Sequence, residues 1–472
     1  MRVALVGALL LGSYGLEAQR PAPESFRVQR AVLDLSIDHP AQRLDGWISL
    51  ELENWTSASS DRVSLLLNRL MDVSTVRDGA GAPIPFTQDV VRFQDLPRWQ
   101  VAQIQVRLPR PVPPGGRTTL RIDYGGTLVG YTEVGFSYVR DRIDTAFTII
   151  REDALAFPSI GGLSASANRE RPRVPFRYDV SVRVPAKYAV ATGGAAARTA
   201  HDDGTVTWRY DSRLPAPFLN ICIAPFDTIA TAGLRIFHFR EDSLGARQVA
   251  ASAHQALDLL AKWFGPQQSK QTVTIIEIPD GWGSQADLVA GIIQAAAAFR
   301  DPERLGEAYH ELSHLWNVVD TESPSPRWNE GLATFVQDVL RERVNSWTGR
   351  GEAEADNLAR VRRALAADST LRTVPMVDYG KVGMTGRSYR VGALMFATLW
   401  QLVGERRFNA IVGGYYQTFQ RGGSTRDFVS YANQTAGRNL KPFFDDWIYT
   451  TRWTDLATKA GSIRDLAGYY QP

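Results

Sequence analysis

The stretch YHELSHLWN, residues 309–317, decides the fold of the second half of the chain. His310 and His314 are four residues apart, so an α-helix places both imidazoles on one face, one turn apart. Two imidazoles at this spacing can share a zinc ion, and Glu311 lies beside the first without being a ligand itself. The stretch therefore predicts a helix that carries two zinc ligands and a carboxylate able to take a proton from water.

The alternative interpretation is an incidental His-Glu-x-x-His on an exposed helix. The chain contains only six histidines, so two of them at this spacing, with a glutamate between, are a rare coincidence. The metal site is therefore favoured. The other four histidines have no such neighbours and are interpreted as surface or satisfied core residues: His39, His201, His238 and His254.

A catalytic zinc site needs a third protein ligand, and Glu330 is the candidate. It belongs to the segment RWNEGLATF, residues 327–335, where Asn329 is a suitable N-cap and Glu330 would follow in the first helical turn. The proline-rich link ESPSP, residues 322–326, should end the first helix and turn the chain back. Alone, Glu330 would be an ordinary first-turn carboxylate stabilised by the helix dipole. The unfilled ligand position favours the metal role.

HELSHLWN followed by WNEGLATF resembles the aminopeptidase N and leukotriene hydrolase family of gluzincin metallopeptidases. That family separates its HExxH motif from the glutamate of an NEG segment by eighteen residues. Here fifteen residues lie between His314 and Glu330, a difference that a tighter interhelix loop absorbs. The resemblance implies one zinc ion held by His310, His314 and Glu330, with Glu311 as the catalytic base.

The segment SYRVGA, residues 388–393, resembles the family's Tyr-x-x-Gly-Ala segment, which opens a helix. The resemblance implies that Tyr389 is catalytic. Its phenol would donate a hydrogen bond to the oxyanion that forms when water attacks the scissile carbonyl. The alternative is an aromatic residue at a helix start that only packs.

One departure concerns the family's Gly-x-Met-Glu-Asn strand, whose glutamate binds the substrate's free α-amine. The segment GIIQA, residues 291–295, is the best match, which predicts Gly291 and Gln294 as substrate-binding residues. Gln294 supplies no charge, and charge-assisted hydrogen bonds are roughly twice as strong as neutral ones. Glu152 and Asp287 are alternative sources of the charge, and the sequence selects neither.

The predicted function is zinc-dependent hydrolysis of peptide bonds, with an aminopeptidase-like preference. Because the amine-binding glutamate is replaced, an endopeptidase or an exported protease with a narrow substrate range is the alternative within enzymes. A non-hydrolytic binding module that keeps the fold is the alternative of another class. The expected partner is a peptide or protein substrate. The formal net charge of +3 over 472 residues indicates no nucleic-acid partner.

The fold class that the sequence predicts is multidomain α+β. Residues 26–230 show repeated period-two alternation, as in FRYDVSVRV, residues 176–184, which is typical of antiparallel strands with one buried face. This segment resembles the family's saddle-like N-terminal domain. Helical patterns dominate from about residue 303 onward, and residues 231–460 are predicted to form a mainly α, thermolysin-like zinc peptidase domain.

The first eighteen residues are predicted to be a signal peptide. Arg2 precedes the apolar run VALVGALLLGSYGL, residues 3–16, and Ala18 is a small residue at a plausible cleavage point. The alternative is a buried N-terminal strand or helix. We therefore expect an exported protein, periplasmic or extracellular, without a stable membrane span. The single cysteine, Cys222, cannot form an internal disulfide and is predicted to pack in the core.

Overall fold

The computed structural model describes residues 24–130, 139–170 and 173–471. The predicted signal segment, residues 1–18, lies outside the described residues. The described chain forms three β-sheets in its first half, followed by a five-stranded sheet and a large helical region.

The strands of the first half are β1 (Phe26–Asp38), β2 (Arg43–Asn54), β3 (Ser60–Leu67), β4 (Met71–Asp78), β5 (Phe86–Arg92), β6 (Gln100–Val112), β7 (Arg117–Thr127), β8 (Thr148–Arg151), β9 (Ser159–Ile160), β10 (Arg177–Pro185), β11 (Ala189–Ala191), β12 (Ala195–Ala200), β13 (Thr205–Asp211) and β14 (Asn220–Ala224). A short helix, α1 (Ala165–Glu170), interrupts them.

A seven-stranded sheet with the order β12-β13-β10-β1-β2-β7-β4 is the largest element of this half. Its strands alternate as the sequence indicates: in β10, Tyr178, Val180 and Val182 are buried while the residues between them are more exposed. One pairing departs from the predicted antiparallel arrangement, because β1 and β10 run parallel. The long connection between these two strands makes a parallel crossover possible, which a hairpin would not.

A second sheet, with the order β5-β6-β3-β9, shares one hydrophobic core with the seven-stranded sheet. Leu33 and Ile48 from the larger sheet belong to the same buried cluster as Leu65 and Ile104 from the smaller one. Alternating apolar residues on the inner faces of both sheets therefore produce a layered β-domain.

The second half begins with β15 (Asp227–Thr231), β16 (Leu234–His238), β17 (Val273–Ile278), β18 (Gln285–Asp287) and β19 (Gly291–Ala295). They form a sheet in the order β15-β16-β17-β19-β18, in which β16, β17 and β19 are parallel and β18 is an antiparallel edge strand. Apolar residues of this sheet, among them Ile276 and Ile293, pack with Cys222 of the three-stranded sheet β11-β14-β8. This buried seam joins the two halves.

The helices of the second half are α2 (Ser243–Phe264), α3 (Ala297–Arg300), α4 (Gly306–Ser313), α5 (Trp328–Asn345), α6 (Arg350–Ala367), α7 (Ser388–Val403), α8 (Glu405–Thr418), α9 (Thr425–Thr435), α10 (Lys441–Phe444), α11 (Trp453–Lys459) and α12 (Ile463–Gly468). Their apolar faces form one extended core. Within the described ranges, no helix is both long and apolar enough to cross a bilayer.

Candidate metal centre

The two histidines lie at the C-terminal end of α4. Tyr309 and Leu312 on the opposite face are fully buried, which fixes the helix against the core. The α-helix ends at Ser313, and His314 opens a 3-10 turn, yet its backbone keeps right-handed helical angles. The two histidine rings therefore still lie along one face, nearly perpendicular to each other, with 3.2 Å between their Nε2 atoms.

Glu330 reaches the histidines from the first turn of α5 and is 5% exposed. Its Oε2 atom lies 3.4 Å from Nε2 of His310 and 3.3 Å from Nε2 of His314. The three ligand atoms all lie within 4.8 Å of one another. Oε2 is buried and accepts no hydrogen bond from the described residues. Two imidazole nitrogens and one carboxylate oxygen, directed at a common point, fit a catalytic zinc ion.

The short link between α4 and α5 is held by its own polar side chains. Asp320 accepts hydrogen bonds from the backbone N–H of Glu322, at 2.8 Å, and from the hydroxyl of Ser325. Glu322 in turn accepts a hydrogen bond from Thr425, which also accepts one from the Trp328 indole. These contacts close the loop that is three residues shorter than the family's spacing, and Glu330 still meets both histidines.

The two carboxyl groups of the site, Glu330 and Glu311, have pKa values shifted in opposite directions. Burial alone would raise the pKa of Glu330, but attraction to the neighbouring His314 and His310 and to Arg327 holds it well below its ordinary value. Glu311 is 8% exposed, and burial raises its pKa to about 7. A carboxylate with such a pKa is suited to exchange a proton near neutral pH.

Tyr389 lies at the open side of the site, in the first turn of α7. Its ring is parallel to that of His310, with centroids 5.9 Å apart and an interplanar angle of 9°. Burial and the neighbouring Glu330 carboxylate raise the pKa of the phenol, so it keeps its proton and can donate it in a hydrogen bond. The structure therefore brings Tyr389 to the three ligand atoms.

Two glycines determine how closely α5 approaches α7. A Cβ atom on Gly331 would lie 2.4 Å from the Cα atom of Gly392, and one on Gly392 would lie 2.9 Å from the Cα atom of Gly331. No side chain fits at either position without moving one of the helices. Because Gly331 follows Glu330 and Gly392 lies one turn after Tyr389, this contact places the carboxylate and the phenol side by side.

Two residues around the ligands were not assigned a role from the sequence. The Asn317 side-chain amide lies 2.7 Å from Nδ1 of His314. The side-chain nitrogen Nδ2 of Asn317 makes this contact, which helps to fix the orientation of the imidazole ring. Arg327 donates a hydrogen bond to Oε1 of Glu330. The only sequence feature that could have identified Asn317 and Arg327 is their place at the ends of the two quoted motifs.

Gly291 and Gln294, the predicted substrate-binding residues, lie in an interior strand of the five-stranded sheet. Both lie in β19, which pairs with β17 on one side, and residues 291–293 of which pair with β18 on the other. Gln294 is fully buried, opposite Glu277 of β17.

The edge strand beyond β19 is β18, which lies next to α4 and the His314 turn. It belongs to the segment GSQAD, residues 283–287, which contains no glutamate. Gln285 donates to Asp153, at 2.6 Å, and accepts from Asn220, at 3.0 Å. Asp287 accepts from the backbone N–H groups of the following turn. Glu152, the other alternative source of charge, lies in a short 3-10 turn, residues 152–154, together with Asp153.

Residues 303–447 match the family model described as "Peptidase family M1 domain". Over 90% of its length, the chain is 22% identical to leucine aminopeptidase 2 of Sclerotinia sclerotiorum, of which it spans 73%. It is also 22% identical to a leukotriene A-4 hydrolase homolog of Botryotinia fuckeliana, of which it spans 63%. The resemblance that the motifs indicated is thus confirmed.

Among solved structures, the fold is similar to an M1 zinc metallopeptidase from Deinococcus radiodurans. The TM-score is 0.65 at 20% identity, and the match covers 91% of this chain and 95% of the other. A mutant of that enzyme bound to Tyr-Ser-Ala gives the same TM-score. The predicted fold class, a β-domain followed by a helical peptidase domain, is confirmed. The expectations of a zinc peptidase and of one zinc ion as its cofactor are confirmed at the level of the family and the ligand set.

Proposed function

We propose that this protein hydrolyses peptide bonds with a single zinc ion and prefers substrates with a free amino terminus. One observation carries the proposal: the nitrogen atoms of His310 and His314 and an unsatisfied oxygen of buried Glu330 meet at one point, beside Glu311 and Tyr389. The match to the M1 peptidase domain and the similarity to a leucine aminopeptidase support the same function.

Glu311 and Tyr389 have separate roles in the proposed reaction. Bound zinc would supply a Lewis acid that polarises the scissile carbonyl and lowers the pKa of the attacking water. Glu311 accepts a proton from that water and passes it to the leaving amine, a role suited to its pKa of about 7. Tyr389 donates a hydrogen bond to the oxyanion of the tetrahedral intermediate.

Replacing Glu311 by Gln tests this division of roles. Removing a general base lowers turnover by about 10²- to 10⁴-fold, whereas zinc should stay bound because the three ligands are intact. Activity on a peptide library and zinc content by atomic absorption would be measured together. Glu307→Gln is the matched control, because Glu307 lies on the same helix and pairs with Arg304 at the surface. Normal turnover in the Glu311 variant would overturn the assignment.

An endopeptidase is the second candidate, and the composition of the sheet edge favours it. Residues 283–287 present Gln285, which is bonded to the β-domain, and Asp287, which caps its own turn. We compare hydrolysis of peptides with free and N-acetylated amino termini. An aminopeptidase should lose the acetylated substrate, while equal rates on both would establish endopeptidase action instead.

We also propose that the protein acts outside the cytoplasm. The support is the sequence of residues 1–18, in which a charged start precedes an apolar run and a small residue. Expression with this segment in an exporting host, followed by N-terminal mass analysis of the secreted fraction, tests it. Retention of the whole segment in the cytoplasmic fraction would contradict the proposal.

A further inference from the structure

Arg327 occupies an unusual backbone position directly before α5. Its φ and ψ angles of 54° and 34° place it in the left-handed region, which disfavours residues with a side chain. Such a conformation persists only where surrounding contacts impose it. Here the Arg327 N–H donates to Ser325 at 3.0 Å, and the Arg327 carbonyl accepts from the Glu330 N–H at 3.2 Å.

This backbone conformation lets the Arg327 side chain return to the carboxylate at the start of α5. Its guanidinium donates to Oε1 of Glu330, while Oε2 faces the two imidazoles. The two oxygens therefore have separate partners. The Glu330 side chain is only 6% exposed, whereas that of Arg327 is 51% exposed, so the arginine covers the outer side of the ligand.

We propose that Arg327 is a positioning residue of the zinc site, which holds one oxygen of Glu330 so that the other stays directed at the metal. The inference rests on the proposed function, since it assumes that the site binds zinc. Hydrogen bonds from outer residues to metal ligands typically change metal affinity or activity by 10- to 100-fold. Arg327 touches the ligand and not the reacting atoms, so its effect passes through Glu330.

A second ion pair, made by an arginine of α5 that contacts no metal ligand, provides a comparison for Arg327. Arg343 of α5 is 43% exposed and pairs at 2.9 Å with Glu405, which is itself 41% exposed. That pair lies in water at both ends and has no metal ligand as a member. It is therefore a matched control for the loss of a charge and of an ion pair from α5.

The experiment compares the wild type with Arg327→Met, Arg327→Lys and Arg343→Met. Zinc affinity is measured by competition with a chromophoric chelator, and the visible spectrum is recorded after replacement of zinc by cobalt. We expect Arg327→Met to bind zinc 10- to 100-fold more weakly and to shift the cobalt bands. Arg327→Lys should recover part of the affinity, because it keeps the charge but loses the planar fork. Arg343→Met should match the wild type.

Each outcome has a separate meaning. Wild-type affinity and an unchanged cobalt spectrum in Arg327→Met would overturn the inference. If Arg327→Met does not fold, Arg327→Lys decides, and wild-type affinity in that variant overturns it equally. A wild-type protein that binds no zinc would instead refute the proposed function.

Discussion

Glu330 and Glu277 are two glutamates buried to nearly the same extent, 5% and 0% exposed, and their pKa values shift in opposite directions. The pKa of Glu330 is held well below its ordinary value. Burial raises the pKa of Glu277 to about 9. Desolvation raises the pKa in both cases, so the difference comes from the partners.

The neighbours of Glu277 are another acid and the backbone. Its Oε2 accepts from the Phe239 N–H at 2.8 Å, and its carboxyl neighbours that of Asp242, whose own charge is paired with Arg300 at 2.8 Å. A proton therefore neutralises Glu277. Glu330 has two imidazoles and Arg327 instead, and it keeps its charge. A buried carboxylate that remains ionised and leaves one oxygen unsatisfied is prepared to bind a cation.

The largest expected effect follows from removing the carboxylate ligand Glu330. Glu330→Gln takes away the anionic oxygen but keeps the shape of the side chain. Zinc affinity should fall by more than the roughly 100-fold attributed to outer partners, and hydrolysis should fall with it. Chelator competition and peptide cleavage measure both. Zinc bound with wild-type affinity would show that Glu330 is not a ligand.

The contact between α5 and α7 offers a smaller test of how Glu330 is held. Gly392→Ala puts a methyl group 2.9 Å from the Cα atom of Gly331. Overpacking of this kind costs about 1–3 kcal/mol of folding free energy. The added methyl group should also move Tyr389 relative to Glu330, and turnover should fall because of this displacement. Thermal unfolding and kcat are the measurements, with Gly351→Ala as the control, because a Cβ atom there meets nothing within 4 Å. Equal behaviour of the two variants would contradict the packing role.

Glu277 tests the other half of the comparison through the pH dependence of stability. Because its folded pKa of about 9 exceeds its ordinary value of 4.5, the folded state holds a proton that the unfolded state lacks between these pH values. Its contribution to stability is complete below about pH 4.5 and is lost as pH rises through about 9, by at most about 1.4 kcal/mol per pH unit. Denaturant unfolding from pH 5 to 9 should show a shallower decline for Glu277→Gln. Parallel curves would show that Glu277 is ionised when folded.

The spacing of residues allowed much of the candidate site to be predicted. The interval between His310 and His314 depends only on the helical repeat, and the structure brings Glu330 and Tyr389 to them as the motifs indicated. The roles of these residues stay predictions until they are tested. The alternation in β10 likewise anticipated which of its side chains are buried.

The substrate strand could not be assigned in this way. Gly291 and Gln294 were selected by local composition, yet whether a strand is interior or at an edge depends on which strands pair with it. The parallel pairing of β1 with β10 was missed for the same reason, because it joins residues about 150 positions apart.

By itself, the sequence determined the two-part organisation, the HExxH helix and the candidate ligands, because these features follow from helical and strand periodicity over a few residues. Only the tertiary structure decided that β18 is an edge strand of its sheet, that Arg327 donates to the outer oxygen of Glu330 and that Gly331 meets Gly392. Each of these is a contact whose geometry depends on how whole elements pack, and no local pattern encodes that geometry.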